Sequence, residues 1–292
     1  MKAEFLKDYI TLCEERINLL FPEINCSYAE VCDAARYSLL LGGKRIRPVI
    51  ALLFCELCGG EAEDVIDFAV ALEMIHTYSL IHDDLPCMDD DDMRRGKPSC
   101  HKKFSEDIAL LAGDTLLTQA FLISAKADVS YEIRTKAAVV LAESAGLHGM
   151  IGGQVLDLSF EKTKPDSEKL SDMYMRKTAA LLICAAKLGI IAAGKDTPQN
   201  LESAEEFGLN LGLAFQVIDD ILDCTADEKL LGKPVGSDEK NQKTTFASLF
   251  GIEKSREIAG EMTDKALNAL DKFNGDTQKL KELTKVLLSR NY

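Results

Sequence analysis

Apolar side chains recur along most of this chain at intervals of three and four residues, and the strict alternation typical of half-buried strands is rare. An interval of three or four residues places apolar positions on one side of an α-helix. The pattern therefore predicts an all-α protein. Ten helices are expected, and they cover residues 3–20, 29–41, 48–58, 62–84, 105–126, 130–160, 167–189, 199–227, 252–273 and 276–290.

Several of the predicted helices have recognisable ends. Ser27 and Glu30 have the spacing of a capping box, and Thr197 precedes a proline that suits a first helical turn. The pair Gly42–Gly43 can take the left-handed conformation that ends a helix. No Pro/Ser-rich linker, low-complexity tract or short repeat divides the chain. Residues 1–292 are therefore expected to form a single domain, although 292 residues would also accommodate two.

The composition narrows the class of protein. With 47% hydrophobic and 28% charged residues, the chain resembles ordinary soluble globular proteins. A formal net charge of -14 disfavours nucleic acid as a partner. Nine cysteines, an odd number without a regular framework, favour free thiols in a reducing cytoplasm.

Neither a signal peptide nor a membrane span is expected. The first 15 residues carry four acidic side chains where a signal peptide needs an uninterrupted apolar stretch. The most apolar window, 181–194, is interrupted by Lys187 and is shorter than the roughly 20 residues that cross a bilayer. The sequence thus predicts no stable membrane insertion.

An acidic cluster follows the fourth predicted helix. It consists of Asp83, Asp84, Asp89, Asp90, Asp91 and Asp92. A run of like charges is usually a solvated loop, but Asp83 and Asp84 should still lie on a core helix, where divalent cations would neutralise them. On a straight helix Asp83 and Asp89 would point apart. Pro86 should break the helix and could bring Asp89 round to the same cation.

Three further aspartates, Asp219, Asp220 and Asp223, interrupt the apolar helix FQVIDDILD. Asp219 and Asp223 are one turn apart on the same face. Burying unpaired carboxylates is costly. The nearest downstream cation is Lys229, so buried salt bridges explain the cluster less well than metal does. Carboxylates without His or Cys neighbours suit Mg²⁺, which commonly bridges carboxylates to substrate phosphate oxygens.

Basic side chains are grouped despite the negative net charge. The groups are Lys44, Arg45 and Arg47 in GGKRIRP, Arg94, Arg95 and Lys97 after the first acidic cluster, and Lys177, Lys233 and Lys243. Each group alone could be solvated surface. Together they supply enough positive charge for two polyanions, and arginine can bind phosphate oxygens in pairs. Two aspartate clusters beside two basic groups therefore predict a site for two diphosphates.

These segments resemble the trans-isoprenyl diphosphate synthases, also called polyprenyl synthetases. The resemblance rests on GGKRIRP, HTYSLIHDDLPCMDDDDMRRGKPSCH, LLAGDTLLTQAF, GGQVLDL, RKTAALL, FQVIDDILD and GKPVGSDEKNQKTTF, in that order. It implies a single large helical bundle with a deep central cavity, usually in a homodimer. Both aspartate motifs would face one another across the mouth of that cavity.

The resemblance also implies roles for individual residues. The ligands of two or three Mg²⁺ ions, for which Mn²⁺ could substitute, would be Asp83, Asp89 and Asp219, supported by Asp84 and Asp223. The allylic diphosphate would be held by Arg94, Lys177, Thr178, Gln216, Lys233 and Lys243. Isopentenyl diphosphate would be held by Lys44, Arg47, His76 and Arg95. The catalytic group would comprise Asp83, Asp84, Asp89, Arg94, Lys177, Thr178, Asp219 and Lys233.

The implied reaction is the condensation of isopentenyl diphosphate with dimethylallyl and geranyl diphosphate. Tyr78 and Ser79 lie roughly 6 to 7.5 Å deeper along the helix than Asp83, at about 1.5 Å per residue. An aromatic residue five positions before a first motif with two inserted residues is similar to bacterial-type farnesyl diphosphate synthases. The expected product is therefore farnesyl diphosphate. If Tyr78 is ordinary core packing, geranyl or geranylgeranyl diphosphate would be the product.

Two alternatives belong to other classes. A terpene cyclase shares the fold and a first aspartate motif, but its second metal motif usually has the pattern N-x-x-x-S-x-x-x-E, where this chain has DDILD. A non-catalytic partner subunit or acidic cation-binding module would be expected to lack part of a metal or phosphate motif. All of those motifs are present here.

Overall fold

The computed structural model describes residues 5–225 and 243–288, and the regular structure in these ranges is almost entirely helical. The predicted all-α fold is therefore confirmed. The helices are α1 (Leu6–Leu20), α2 (Ala29–Leu39), α3 (Ile46–Leu57), α4 (Ala62–Asp83), α5 (Cys100–Lys103), α6 (Glu106–Lys126), α7 (Tyr131–Ala145), α8 (Met150–Phe160), α9 (Ser167–Tyr174), α10 (Ala180–Ala192), α11 (Pro198–Thr225), α12 (Phe246–Phe250), α13 (Ile252–Leu270) and α14 (Gln278–Leu288). A π-helical turn, Met175–Ala179, joins α9 to α10. An antiparallel hairpin of β1 (Met93–Arg94) and β2 (Lys97–Pro98) lies between α4 and α5.

Helices α4 and α10 form the centre of the bundle. Both are buried over most of their circumference because their sequences are apolar on nearly every face. They contact each other, α3, α6, α7 and α11 pack around this pair, and α13 lies against α11. One continuous cluster of buried apolar side chains reaches from α1 to α14. The expected single domain requires such a cluster, and it stays a prediction.

The structure departs from the predicted helices where glycines or short elements intervene. The single helix expected over 130–160 is wrong, because α7 ends at Ala145 and α8 begins at Met150. Gly146 and Gly149 lie between them, and a residue without a Cβ weakens a helix. The helix expected over 167–189 is divided by the π-helical turn. The hairpin, α5 and α12 are too short to produce a periodic pattern.

The predicted helix ends are confirmed in part. The Thr197 Oγ1 atom accepts the backbone N–H of Asn200 over 3.2 Å, which is the expected cap. Gly42 and Gly43 have φ values of 90° and 132°. The capping box at Ser27 is wrong, because α2 begins after Tyr28 without a side-chain cap.

Among the described residues, two helices, α4 and α6, have the length and apolar composition of a membrane-crossing segment, and the window 181–194 is not one of them. The apolar part of α4 is 72% buried inside the bundle, which is typical of a core helix in a soluble protein. The corresponding part of α6 is only 39% buried. Helix α6 therefore presents apolar side chains outward, among them Leu110, Leu111 and Leu122.

Candidate active site

A cavity of about 830 Å³ lies between α4, α6, α8, the π-helical turn and α11. Apolar side chains such as Leu117, Val155 and Phe215 form part of its wall. The residues singled out from the sequence that also line it are Arg47, His76, Tyr78, Ser79, Asp83, Arg94, Lys177, Thr178, Gln216 and Asp219. The fold therefore brings both aspartate motifs and members of the basic groups to one space.

Two smaller cavities adjoin this main cavity and share residues with it. A cavity of about 510 Å³ is lined by the first basic group together with Arg95 and His76, namely Lys44, Arg45, Arg47, His76 and Arg95. A cavity of about 200 Å³ on the other side is lined by Lys177, Thr178, Gln216, Asp219 and Lys243. The predicted sites for the two diphosphates thus lie on two sides of one apolar space.

The first aspartate motif begins where α4 ends. Asp83 is the last residue of α4, and the chain then turns back, so that the backbone N–H of Asp89 donates to the carbonyl oxygen of Asp83 over 2.9 Å. Pro86 lies in this turn, where a helix could not continue. The Asp83 side chain lines the main cavity, accepts a hydrogen bond from Gln154 and lies 3.9 Å from Lys177 Nζ.

The ionisation of Asp83 is unusual for an aspartate. Burial is the main reason that its pKa is raised to about 6. Lys177 and Arg94 lower this pKa, while the nearby carboxylates of Asp89 and Asp157 raise it. Like charges close together disfavour the ionised form until a cation neutralises them. The side chain is therefore well suited to exchange a proton for a metal ion.

Asp84 follows Asp83 directly but lies outside the wall of the main cavity. It is 2% exposed and is absent from the lining of the main cavity. Its carboxylate accepts a hydrogen bond from Arg94 Nε over 3.0 Å and a second from the Arg94 terminal nitrogen. Burial raises the pKa of Asp84, and Arg94 lowers it. Asp84 thus holds Arg94, which does reach the cavity, and the predicted support of metal by Asp84 stays a prediction.

The three aspartates of the second motif have different surroundings. Asp219 lines both the main cavity and the 200 Å³ cavity. Asp220 accepts hydrogen bonds from the Tyr174 hydroxyl over 2.8 Å and from the backbone N–H of Phe246 over 2.9 Å. Asp223 is 2% exposed and lines neither of these cavities. The geometry therefore favours Asp219 as the residue of this motif that meets a ligand.

The predicted metal ligands do not form a closed cage. Within residues 5–225 and 243–288, the three potential ligand atoms that lie within 4.8 Å of one another belong instead to Asp90, Asp92 and His101. Asp92 there already pairs with Lys102 over 2.8 Å. The predicted ligands come from the end of α4, the turn after it and α11, and all their donor atoms are oxygens. This donor set fits Mg²⁺ ions that complete their coordination with phosphate oxygens and water.

Two of the cations predicted to hold the allylic diphosphate, Lys177 and Lys243, lie at or beside the π-helical turn. Lys177 Nζ lies 2.5 Å from Asp157 Oδ2, and Lys243 Nζ lies 3.9 Å from the same oxygen. Thr178 Oγ1 donates to Gln216 Oε1 over 2.8 Å. A π-helical turn inserts an extra residue into a helix and often occurs at functional sites. Here it places Lys177 and Thr178 together in the cavity wall.

Arg45 differs from its neighbours in GGKRIRP. It is 2% exposed, its Nη1 donates to Glu73 Oε1 over 2.9 Å, and its Nη2 donates to the carbonyl oxygen of Leu39 over 2.7 Å. Arg45 therefore ties the start of α3 to α4 and to the end of α2. Its grouping with phosphate-binding residues was wrong, because both terminal nitrogens of its guanidinium already donate to protein groups.

The main cavity and the 510 Å³ cavity share Arg47, His76 and Phe215, of which Arg47 and His76 are polar. Burial lowers the pKa of Arg47. Burial, followed by the positive charges of Arg47 and Arg95, lowers the pKa of His76 well below its usual value, so His76 is neutral at pH 7. The Arg47 Nε atom is buried and has no hydrogen-bond partner among the described residues. A bound anion would stabilise the charged form of Arg47 and accept a hydrogen bond from its Nε atom.

Backbone strain is concentrated at this site. Among the described residues, the non-glycine positions with positive φ are Arg45 at 46°, Asp90 at 50° and Arg95 at 52°. Each such residue costs roughly 1–3 kcal/mol, and such residues cluster where function requires the conformation. All three flank the cavities or the first aspartate motif.

The β1–β2 hairpin carries two consecutive arginines to different places. Arg95 and Gly96, with φ of 52° and 75°, form its two-residue turn, and positive φ at both positions is typical of type I′. Arg94 binds the Asp84 carboxylate, whereas Arg95 donates to the carbonyl oxygen of Gly42. The hairpin therefore connects the first aspartate motif with the GGKRIRP loop.

Sequence reasoning missed several residues of this arrangement. Gln154 and Asp157 contact Asp83 and Lys177, and their spacing of three within GGQVLDL was the available signal, since it places both on one face of α8. No local sequence pattern indicates that Glu73 pairs with Arg45, because the two residues are 28 positions apart in the chain. Lys233, predicted to hold the allylic diphosphate, lies outside the described residues.

Comparison with known proteins now defines the class. A family model described as polyprenyl synthetase matches residues 29–287. The chain belongs to this family of prenyltransferases, and the resemblance seen in its motifs is confirmed. One relative, "Geranylgeranyl pyrophosphate synthase 11, chloroplastic" from Arabidopsis thaliana, is 46% identical over 250 residues, which are 84% of this chain and 70% of the relative.

Solved structures agree with the fold. A geranylgeranyl pyrophosphate synthetase from Pyrococcus horikoshii superposes with a TM-score of 0.89 at 35% identity, covering 99% of this chain and 98% of that one. A geranyltransferase from Helicobacter pylori, in complex with magnesium and isoprenyl diphosphate, superposes with a TM-score of 0.83 at 33% identity, covering 99% and 97%. The all-α bundle with a central cavity is thus the isoprenyl synthase fold.

Proposed function

We propose that this protein is an Mg²⁺-dependent prenyl diphosphate synthase that condenses isopentenyl diphosphate with allylic diphosphates. One observation carries the proposal. Carboxylates of both motifs and cations of both basic groups line adjoining cavities around one apolar space. Such a space accepts two polar headgroups and a hydrocarbon tail, which is what this reaction requires.

The allylic substrate would bind between α4 and α11. Asp83, Asp89 and Asp219 would hold two or three Mg²⁺ ions, with Mn²⁺ as a substitute, and Asp84 and Asp223 would support them. The ions would supply electrostatic stabilisation for the departing pyrophosphate. Positive charge for the diphosphate oxygens would come from Arg94, Lys177, Lys233 and Lys243, assisted by Gln216 and Thr178.

Isopentenyl diphosphate would bind in the 510 Å³ cavity. Lys44, Arg47 and Arg95 would pair with its phosphate oxygens, and neutral His76 would donate a hydrogen bond. The distribution of charge supports this assignment, because the residues lining this cavity include four cationic side chains and a single carboxylate, Glu73, which Arg45 neutralises.

The reaction would then follow from the positions of these groups. The C–O bond of the allylic diphosphate breaks, and the preorganised cations stabilise the charge on the leaving group. The double bond of isopentenyl diphosphate attacks the allylic cation, forming the new C–C bond. A proton is then lost to the released pyrophosphate. The Thr178 hydroxyl or carbonyl, in the cavity wall, would face the developing positive charge.

We propose geranylgeranyl diphosphate as the end product. The support is the relatives, since proteins 45–48% identical to this chain are named geranylgeranyl pyrophosphate synthases. The farnesyl product expected from the motifs remains a second candidate. It is favoured by Tyr78, which lines the cavity five residues before Asp83 on α4, and by Ser79 beside it.

A product analysis tests the proposal. Purified protein is incubated with Mg²⁺, labelled isopentenyl diphosphate and dimethylallyl, geranyl or farnesyl diphosphate, and product chain lengths are measured. Extension of farnesyl diphosphate to C20 supports the first candidate, and arrest at C15 supports the second. Absence of condensation with all three primers, in folded protein that binds Mg²⁺, would contradict the proposed activity and leave the partner-subunit and cyclase alternatives.

We further propose that the protein is a cytoplasmic homodimer. The support for the dimer is a set of exposed apolar side chains on the adjacent helices α6 and α7, namely Leu110, Leu111, Leu122 and Val139. Several exposed apolar side chains on adjacent helices are typical of a protein–protein interface. Light scattering should give twice the chain mass, and cell fractionation should recover the protein without membranes. A monomer, or recovery with membranes, would contradict this proposal.

A further inference from the structure

The ring of Tyr78 is held in the cavity wall by packing alone. Tyr78 is 6% exposed, and its hydroxyl has no hydrogen-bond partner in the described part of the chain. A buried hydroxyl without a partner loses nothing when the ring turns. The position of this ring therefore depends on the side chains against which it lies.

His82 is the aromatic neighbour of Tyr78. It lies one helical turn later on α4, on the same face, and the two ring centroids are 5.7 Å apart with planes at 79°. His82 is itself fixed to the next helix, since its Nε2 atom lies 3.0 Å from the carbonyl oxygen of Leu110 on α6. That distance requires the proton on Nε2. His82 thus connects the Tyr78 ring to α6.

Gly113 on α6 makes room for this imidazole. A Cβ atom at position 113 would lie 2.1 Å from His82 Nε2 and 2.4 Å from its Cδ2 atom, far inside van der Waals contact. A glycine in the middle of a helix is less favourable than alanine by about 1 kcal/mol. The contact with His82 gives this glycine a structural reason.

We infer that His82 and Gly113 are positioning residues that help to determine product length, because together they fix the ring of Tyr78. The inference rests on the proposed synthase function, in which the hydrocarbon tail grows past Tyr78. His82 and Gly113 act through that ring and leave the diphosphate sites unchanged. They should therefore affect where elongation stops, and the first condensation much less.

Changes at the two positions should act in opposite directions. His82→Ala removes the support of the Tyr78 ring, so that a growing tail can displace it. The share of product one C5 unit longer than the main wild-type product should rise about tenfold, within the range that small changes of apolar pockets produce. Gly113→Ala pushes the imidazole off α6 towards Tyr78 and the cavity, and the product distribution should become shorter.

The double variant makes the test specific. In His82→Ala/Gly113→Ala the added methyl group meets no imidazole, so its product distribution should equal that of His82→Ala alone. Gly260→Ala is the matched control for glycine, because it lies within α13 and a Cβ there has no neighbour within 4 Å. His148→Ala, at an exposed histidine outside the helices, is the control for histidine.

Two measurements separate this inference from the proposed function. The rate of C10 formation from dimethylallyl diphosphate should stay within a few-fold of wild type in every variant, and chain lengths should shift as stated. Unchanged chain lengths with normal C10 formation would overturn the inference alone. Equal shortening by Gly113→Ala with and without His82 would also overturn it. Loss of all condensation in the wild type would instead contradict the synthase function.

A second combination serves if Gly113→Ala does not fold. Tyr78→Ala should lengthen the product by itself, because it removes the ring. Adding His82→Ala to it should then change nothing, since the support has nothing left to hold. A further lengthening in the Tyr78→Ala background would show that His82 acts independently of Tyr78 and would overturn the inference.

Discussion

The two halves of the candidate site manage charge in opposite ways. On the GGKRIRP side, the buried Arg45 is already neutralised by Glu73, with Oε1 at 2.9 Å, and by the more exposed Glu14 at 3.6 Å. On the aspartate side, Asp83 lies among other carboxylates and its pKa is raised to about 6. On the GGKRIRP side, protein carboxylates already compensate the buried positive charge of Arg45. On the aspartate side, bound cations would be needed to compensate the negative charge around Asp83.

This difference means that similar substitutions should have opposite effects on stability. Removing a charge from a neutralised buried pair leaves its partner uncompensated. Removing a charge from a group of like charges relieves repulsion. Stability and activity should therefore change together on the GGKRIRP side and separate from each other on the aspartate side.

The largest expected effect is at Arg45. Arg45→Met leaves Glu73 buried without its partner, and the free energy of unfolding should fall by about 3–5 kcal/mol in a denaturant titration. Adding Glu73→Leu should restore most of this loss, because an apolar pair of similar volume is tolerated. If the double variant is as unstable as Arg45→Met, the ion pair does not explain the effect.

Asp83→Asn should reverse the relation between stability and activity. We expect kcat to fall about 10²–10³-fold, the usual size of losing one charge-stabilising group in a dry site. The metal-free protein should be at least as stable as wild type at pH 8, because a buried charge has been removed. Asp264→Asn, on an exposed part of α13, should change neither quantity. A normal kcat in Asp83→Asn would exclude Asp83 as a metal ligand.

The next largest effect is the pH dependence that Asp83 gives to stability and to Mg²⁺ affinity. Since the pKa of Asp83 is about 6 when folded, against 3.8 as its ordinary value, the folded protein holds a proton between pH 4 and 6 that the unfolded chain has lost. Asp83 therefore makes metal-free stability fall as pH rises through this window. The apparent Mg²⁺ affinity should fall up to about tenfold per pH unit below pH 6. An affinity independent of pH between 5 and 7 would contradict the raised pKa.

The smallest expected effect concerns the close approach of Arg95 to Gly43. A Cβ atom at position 43, where φ is 132°, would lie 2.7 Å from the Arg95 guanidinium. Gly43→Ala should therefore raise the KM for isopentenyl diphosphate by roughly fivefold, about 1 kcal/mol, and the allylic KM by a smaller factor. Gly42→Ala has positive φ but no neighbour within 4 Å, so it measures the backbone strain alone. Equal effects of the two variants would exclude the contact as the cause.

The parts of this molecule that could be predicted from sequence are those with local signals. Apolar side chains recur every three to four residues in the long helices α4 and α11. Both aspartate motifs lie within these helices or directly after them. Pro86 also gave a local reason for the turn that brings Asp89 back to Asp83. These features do not depend on distant partners.

The parts that escaped prediction depend on tertiary contacts. Arg45 looked like its neighbours in the sequence, and its burial against Glu73 follows from how α3 and α4 pack. The π-helical turn has no compositional signature, although it carries Lys177 and Thr178. The predicted farnesyl product rested on the sequence position of Tyr78, whereas the shape of the cavity around Tyr78 follows from the packing of several helices.

The β1–β2 hairpin joins the two proposed substrate sites through one short turn. Arg94 and Arg95 are joined by one peptide bond, yet one holds Asp84 and the other reaches the loop at Gly42. Because the two-residue turn is tight, we expect that a movement of one arginine also moves the other. If binding of one substrate changes the affinity for the other, then binding of the other must change the affinity for the first by the same factor.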